Sequence, residues 1–134
     1  MPPWRRCMVL TNLGEKYQVA LSSSFSAERA ETYLMSQHYY HTTVNYFYDR
    51  SRFKTPPSIK LANDLFKHGL VCGLHGYNYE GTGVFTNEYL DLGSKDLKSI
   101  IQRTLARRCT FFLFRSEIFS GFKLIGNNSI EFNK

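Results

Sequence analysis

The chain has 134 residues, a hydrophobic content of 43% and a formal net charge of +6. These values fit one domain or two small lobes that share a core, and they exclude wholesale disorder. No apolar run reaches the length of a membrane span. The three cysteines are widely spaced and form no CxxC pair, which argues against a secreted disulfide scaffold or a zinc ribbon and favours a reducing compartment.

The first half of the sequence predicts, in chain order, a hairpin, a helix, a strand and a second helix. Short apolar runs with a glycine between them predict the hairpin, and a run of β-branched and aromatic residues predicts the strand. Ser58 is placed to cap the second helix. The predicted ranges are 7–10 and 17–21 for the hairpin, 26–38 for the first helix, 42–48 for the strand and 59–68 for the second helix.

The second half predicts mainly strands. Residues 95–108 are ambiguous, but the near-helical spacing of their apolar residues favours one helix there, which Ser94 would cap. The mixed order of helices and strands predicts an α+β fold. We expect a small mixed α/β lobe at 1–92, with the hairpin as an N-terminal extension, and a β-rich C-terminal part at 93–134 that shares the core and faces a partner. The predicted strands are 70–74, 84–92, 110–114, 122–125 and 129–132, and the predicted helix is 95–108.

The positive charge is concentrated in two segments that flank an acidic one. Residues 50–67 contain five cations and one carboxylate, Asp64, and residues 95–115 contain six cations and one carboxylate, Asp96. Residues 68–94 contain three carboxylates and no Lys or Arg. Because Tyr, Phe and His are interleaved with the cations, the pattern indicates a surface for phosphates and bases. A solvated basic face without a partner is the alternative.

Groups suited to catalysis or metal binding are few. His38 and His41 lie near each other in sequence, and a three-nitrogen zinc site would also need His75. Cys72 and His75 are close in sequence only, so a buried strand cysteine followed by a turn histidine is the simpler interpretation. The glycines at 81–83 are not followed by Gly-Lys-Ser/Thr, as a phosphate loop requires. We therefore predict no enzymatic activity, no catalytic residue, no metal site and no cofactor.

Several motifs resemble, in their order along the chain, those of the 6-pyruvoyl-tetrahydropterin synthase family. They are Phe25-Ser26-Ala27, His75-Gly76-Tyr77-Asn78-Tyr79 and Leu90-Asp91-Leu92 followed by Asp96-Leu97-Lys98. That family binds zinc with three histidines, and the matching positions here are Arg29, His75 and Tyr77. The resemblance therefore implies, as an alternative function, a degenerate relative without zinc.

A second resemblance covers roughly residues 24–117 and agrees with the charge pattern. Pro57-Ser58-Ile59-Lys60-Leu61 and Lys67-His68-Gly69-Leu70-Val71 match the motifs that open and close a helix in the family of small-subunit ribosomal protein eight. Residues 101–108 occupy the place of that family's rRNA-contacting segment, without its Pro-Gly pair. This match implies that residues 95–108 are partly extended, in contrast to the helix that their spacing favours. The chain is similar to a divergent member of this family, of a kind that suits an organellar ribosome.

The ribosomal resemblance implies a structural component of the small ribosomal subunit, mitochondrial or otherwise cytoplasmic. Its partners would be ribosomal RNA and neighbouring ribosomal proteins, without a membrane or a small-molecule substrate. Ser58 and Thr104 would bond sugar or phosphate oxygens, and Tyr46 or Tyr79 would stack on bases. A small viral or phage protein that binds nucleic acid or a host protein is a third interpretation. The predicted RNA-binding residues are Arg50, Arg52, Lys54, Ser58, Lys60, Lys67, Arg103, Thr104, Arg107, Arg108 and Arg115.

Overall fold

The computed structural model of the protein describes residues 4–84 and 90–124. None of the helices in these residues is long and apolar enough to cross a membrane. The elements are, in chain order, α1 (Trp4–Leu13), α2 (Ala27–Thr32), β1 (Val44–Phe47), a first 3₁₀ helix (Arg50–Arg52), a second 3₁₀ helix (Ala62–Lys67), β2 (Val71–Leu74), β3 (Leu90–Ser94), α3 (Leu97–Leu105), β4 (Phe111–Arg115) and α4 (Ser116–Leu124).

The four strands form one mixed sheet in the order β1-β4-β2-β3. β4 pairs antiparallel with β1, so that Val44 lies opposite Arg115 and Phe47 opposite Phe112. β2 pairs parallel with both β4 and β3. All four residues of β2 are buried, as expected for an inner strand whose two faces are both covered. The helices and the mixed sheet confirm the predicted α+β class.

Hydrophobic side chains cover both faces of the sheet, and alternation along β4 divides its side chains between them. On one face, Ile100 of α3 packs in a cluster with Phe112 and Phe114. On the other face, Phe111 belongs to a second cluster with Leu65 of the second 3₁₀ helix. Both Phe111 and Ile100 are 0% exposed. The continuous apolar run of β4 is therefore buried from two sides, and it forms the centre of the core.

The helix predicted for 95–108 is confirmed as α3, with shorter limits and a different cap. Asp96 caps it, because its Oδ1 accepts the Ser99 N–H at 2.7 Å. Ser94, the expected cap, is buried at the end of β3. The helix stops at Leu105, and the residues after it turn back toward β4.

The sheet takes strands from both of the segments expected as lobes. β4 comes from the C-terminal segment and lies between β1 and β2, which come from the N-terminal segment. The strand predicted at 122–125 is wrong for its described part, because α4 continues to Leu124. The strand predicted at 129–132 lies outside the described residues.

The predicted N-terminal hairpin is wrong, because residues 4–13 form α1 and residues 17–21 belong to no regular element. Gly14 adopts a φ of +67° and donates its N–H to the Thr11 carbonyl at 3.1 Å, so it ends α1 in the left-handed conformation. A glycine after a short apolar run suits both a hairpin turn and a helix end, which explains the error.

The two helices predicted next are shorter than expected. The one predicted for 26–38 covers only Ala27–Thr32, with the Ser26 hydroxyl accepting the Arg29 N–H at 3.2 Å. The one predicted for 59–68 begins at Ala62 and is a 3₁₀ helix. Ser58 does not cap it. Instead the Asp64 carboxylate accepts the backbone N–H of the preceding Leu61 at 2.9 Å, which fixes its start.

A disulfide joins Cys72 of β2 to Cys109, the residue two before β4. Both cysteines are 0% exposed, and they are 37 residues apart in the sequence. The pair is at variance with the reducing surroundings inferred from cysteine spacing, because disulfides persist mainly in oxidising compartments. It ties β2 to the turn that leads into the neighbouring strand β4.

Candidate functional site

Aromatic side chains form a continuous group on one face of β1 and β4. Alternation along β1 places Tyr46 and Tyr48 on the same side, with ring centroids 6.4 Å apart. Phe53 stacks on Phe111 at 5.7 Å, and the His68 ring meets the edge of Phe111 at 6.1 Å. Phe111 is buried, whereas Tyr46 and His68 are exposed. We call these five residues the aromatic face.

Four arginines lie beside the aromatic face, where β1 ends and β4 begins, and we call them the basic end: Arg50, Arg52, Arg107 and Arg108. The first two belong to the 3₁₀ helix that directly follows β1. Arg52 Nη1 donates to the Cys109 carbonyl at 3.1 Å, which joins this helix to the residues before β4. All four arginines are exposed.

Asp49 connects the two halves of the basic end. Its Oδ1 accepts the N–H of Ser51 at 2.9 Å and the Ser51 hydroxyl at 2.8 Å, so it caps the first 3₁₀ helix. These two hydrogen bonds lower the pKa of Asp49, and the charges of Arg107 and Arg52 lower it further. Both arginines therefore lie close enough to act on the same carboxylate, although they are far apart in sequence.

A tight turn after α3 presents Arg107 and Arg108. The N–H of Arg107 bonds the Thr104 carbonyl at 3.0 Å, and the N–H of Arg108 bonds the Arg103 carbonyl at 2.9 Å. This pair of bonds is the Schellman arrangement, which normally has glycine at the position that Arg107 occupies. Arg107 adopts a φ of 60°, a left-handed conformation that costs a side-chain-bearing residue about 1 kcal/mol.

Two of the predicted RNA-binding cations are occupied within the protein. Arg103 binds Asp91 through both nitrogens, at 3.1 and 2.6 Å, and also donates to Ser94. Lys67 contacts Asp64 at 2.6 Å, and this hydrogen bond is the main reason why the pKa of Asp64 falls to about 2. Among the side chains that the structure describes, these are the two salt bridges, and neither involves an arginine of the basic end.

The other predicted site residues are scattered. Thr104 is buried, and its hydroxyl donates to the Ile100 carbonyl at 2.9 Å, so we leave it out of the surface. Arg115 lies at the opposite end of β4 from the basic end. The remaining predicted residues are exposed but make no described contact with the basic end, so we do not include them in it: Lys54, Ser58 and Lys60.

Of the two tyrosines considered for base stacking, one is available. Tyr79 is 3% exposed, and its hydroxyl accepts the Leu74 N–H at 2.8 Å. Burial is the main cause that raises the pKa of Tyr79 to about 12. Tyr46 is 37% exposed and lies on the aromatic face, with its ring 6.4 Å from that of Tyr48. In the sequence, the one indication that Tyr46 is exposed was its alternation with Tyr48, which is typical of a strand with one solvent-facing side. No comparable pattern marked Tyr79 as buried.

The histidines do not converge. The rings of His38 and His41 stack at 5.9 Å, whereas His75 Nε2 lies 2.9 Å from Arg5 Nη1. In the part of the chain that the structure describes, no group of three His, Cys, Asp or Glu side chains could hold a metal ion. Arg29 Nη2 donates to the Gly76 carbonyl at 3.2 Å, so the position matched to a zinc ligand is filled by a guanidinium that fastens the neighbouring turn.

Comparison with protein-family models, with curated proteins and with solved structures returned no match. The geometry of the basic end and the aromatic face is therefore the basis on which a function is assigned.

Proposed function

We propose that this protein binds single-stranded RNA through the basic end and the adjoining aromatic face. The observation that supports the proposal is the juxtaposition of four exposed arginines with exposed aromatic rings, Tyr46 and His68 among them. Single-strand binding needs a positively charged track for the backbone and π-surfaces for unpaired bases. The two surfaces share one border, because Tyr48 and Phe53 flank the first 3₁₀ helix in sequence.

The division of labour follows from the side-chain chemistry. The planar guanidinium groups bind phosphate oxygens bidentately, and each neutralised phosphate releases counterions from the strand. A base stacked on Tyr46 or on the exposed edge of the aromatic face contributes about 1–3 kcal/mol, with little dependence on sequence. Asp49 opposes binding, because its carboxylate lies next to Arg52 and Arg107 and repels phosphates.

The binding test removes two positive charges at the basic end and compares the loss with a matched removal elsewhere. The Arg107→Ala/Arg108→Ala variant should flatten the salt dependence of oligouridine binding by about one to two units of slope. The control is Lys95→Ala/Lys98→Ala, which removes the same charge from exposed residues at the other end of α3. Fluorescence anisotropy across a salt series measures both slopes. Equal slopes for the two variants would refute the placement of the site.

The particle in which this binding would occur is a separate part of the proposal. We propose a small ribosomal subunit, mitochondrial in the first instance, because of the motif resemblance at 57–61 and 67–71. Sedimentation of the tagged protein from an organelle lysate at low and high salt tests it. We expect co-sedimentation with a small-subunit particle that survives moderate salt. Recovery in the soluble fraction alone would remove the ribosome from the proposal and leave RNA binding to the anisotropy assay.

A further inference from the structure

A cavity of about 310 Å³ lies at the end of β4 opposite the basic end. It is lined by residues 22–25, by residues 35–42 and by Arg115, the last residue of β4. Its volume is at the lower limit of small-molecule sites. No described carboxylate lines it, so a negatively charged ligand would meet no repulsion from its walls.

Arg115 is the charged group of this cavity. Arg115 is half-buried and its backbone pairs with Val44, but its guanidinium makes neither a hydrogen bond nor a salt bridge with any residue that the structure describes. The Glu117 Oε1 accepts the Thr43 N–H at 3.0 Å, and backbone hydrogen bonds are the main cause that lowers the pKa of Glu117, with a smaller effect from the charge of Arg115.

A second cation lies behind the wall of the cavity, because Arg29 Nη1 donates to the hydroxyl of Ser24, a lining residue, at 3.1 Å. Burial is the main cause that lowers the pKa of Arg29, and the like charge of Arg115 lowers it further. An unpaired, half-buried guanidinium in such a site suits a phosphate.

Aromatic rings form the rest of the site. His38, Tyr39, Tyr40 and His41 are consecutive and line the cavity. The two histidine rings stack at 5.9 Å, and the two tyrosine rings meet at 4.9 Å. All four residues are exposed, so π-surfaces remain available for a planar ligand.

A strained residue fixes the rim of the cavity. Ser22 adopts a φ of 64°, and its N–H donates to the Tyr39 hydroxyl at 2.7 Å. Non-glycine residues in the left-handed region cluster at ligand sites, where the surrounding structure maintains the strain. The bond positions the Tyr39 ring and thereby the four-ring segment.

We infer that this cavity binds a nucleoside monophosphate group, with the phosphate on Arg115 and the base against Tyr40 and His41. The group is either a free nucleotide or the terminal nucleotide of an RNA strand. The site is independent of the proposed RNA surface, because the two lie at opposite ends of β4.

Calorimetric titration of the full chain with AMP, adenosine and inorganic phosphate tests the site. We expect one AMP per chain, and weaker binding of adenosine and of phosphate. Arg115→Gln should weaken AMP binding roughly 10- to 100-fold, the loss of a hydrogen bond to a charged group, and Tyr40→Ala roughly 5- to 100-fold. Circular dichroism and thermal unfolding establish that both variants fold.

The Arg107→Ala/Arg108→Ala variant is the control, and it should bind AMP as the unaltered protein does. If it loses AMP binding, the ligand occupies the basic end, and the inference is overturned. Equal affinity for AMP and adenosine, or no AMP binding, would also overturn it. Competition by a 5′-phosphorylated oligouridine, but not by its unphosphorylated form, would identify a strand end as the ligand, and AMP binding without such competition would identify a free nucleotide. AMP binding that persists while oligouridine binding fails separates this site from the proposed function.

Discussion

Residues 4–43, the N-terminal segment, and residues 44–124, the sheet region, contain similar apolar side chains and use them differently. In the described sheet region, apolar residues from β2, β4 and α3 are buried on both faces of one sheet. In the N-terminal segment the buried residue is Ser26, which is polar. The large hydrophobic residues that this segment exposes are Val9, Leu13, Tyr17, Val19, Leu21, Phe25, Leu34, Tyr39 and Tyr40.

Polar contacts attach the N-terminal segment. Arg29 Nη2 donates to the Gly76 carbonyl at 3.2 Å, and Asn78 Nδ2 donates to the Phe25 carbonyl at 2.7 Å. Such bonds contribute about 0.5–1.5 kcal/mol each, whereas burial of one large apolar side chain contributes about 1.5–3 kcal/mol. The comparison teaches that composition alone does not fix where the core lies, because an apolar residue stabilises only where a second element covers it.

The largest expected effect contrasts one phenylalanine from each region. Phe111→Ala should lower the free energy of unfolding by about 3–5 kcal/mol, because it leaves a cavity at the centre of the sheet. Phe25→Ala should change it by less than about 0.5 kcal/mol, because Phe25 is 55% exposed. Urea unfolding followed by circular dichroism measures both. Similar losses would show that the N-terminal segment contributes to the same cooperative core.

The disulfide is the second way to separate the regions, because it lies wholly within the sheet region. The Cys72→Ala/Cys109→Ala variant should lose about 4 kcal/mol, the value that loop-closure entropy gives for a closed loop of this length, since the cysteines are 37 residues apart. Cys7→Ala, outside the disulfide and in the N-terminal segment, is the control and should cost less than about 1 kcal/mol. A wild-type unfolding midpoint that dithiothreitol leaves unchanged would contradict the prediction.

Tyr79 gives a pH-dependent test of the same core. Its pKa is raised from 10.0 to about 12, mainly by burial. The folded state therefore holds this proton more tightly than the unfolded state. The protonated Tyr79 therefore stabilises the fold fully below pH 10. This contribution to the free energy of unfolding, about 3 kcal/mol in total, is lost as the pH rises toward 12.

The Tyr79→Phe variant removes this titration and should give a flatter stability curve between pH 10 and 12. At neutral pH it should be less stable by about 1–3 kcal/mol, because the buried Leu74 N–H loses its acceptor. Urea unfolding over a pH series measures both effects. Tyr17→Phe, at an exposed position of the N-terminal segment, should follow the wild-type curve, and a Tyr79→Phe curve parallel to wild type would contradict the assignment.

The sequence pattern was clearest for the central strand, and at 95–108 it favoured a helix although an extended segment was the alternative. The run at 111–114 is apolar throughout and suits a buried strand, and the spacing of Leu97, Ile100 and Ile101 suits one helical face. The N-terminal runs were ambiguous, because a short apolar stretch before Gly14 fits a strand or a helix. Burial against a second element normally distinguishes a strand from a helix in such a run. Residues 4–43 bury almost no apolar side chain, so their sequence carries no burial pattern that could distinguish the two.

The candidate site was predictable in part. The charge segments identified Arg50, Arg52, Arg107 and Arg108, and their convergence at one end of the sheet follows from β1 pairing with β4. The sequence could not show that Arg103 is occupied, because its partner Asp91 lies on β3 and meets it only when α3 packs there. The disulfide was equally hidden, since its two cysteines become neighbours only through the parallel pairing of β2 with β4.

The smallest expected effect tests why an arginine occupies a glycine position in the sheet region. Arg107→Gly should raise the free energy of unfolding by about 0.5–1 kcal/mol, because glycine adopts the left-handed conformation without steric cost. The same variant should bind oligouridine more weakly and with a flatter salt dependence, because one phosphate contact is lost. Arg108→Gly is the control: it removes the same charge from a residue outside the left-handed region and should gain no stability. A more stable Arg107→Gly protein with weaker RNA binding would show that the strained arginine serves binding rather than folding, and unchanged binding would remove Arg107 from the proposed surface.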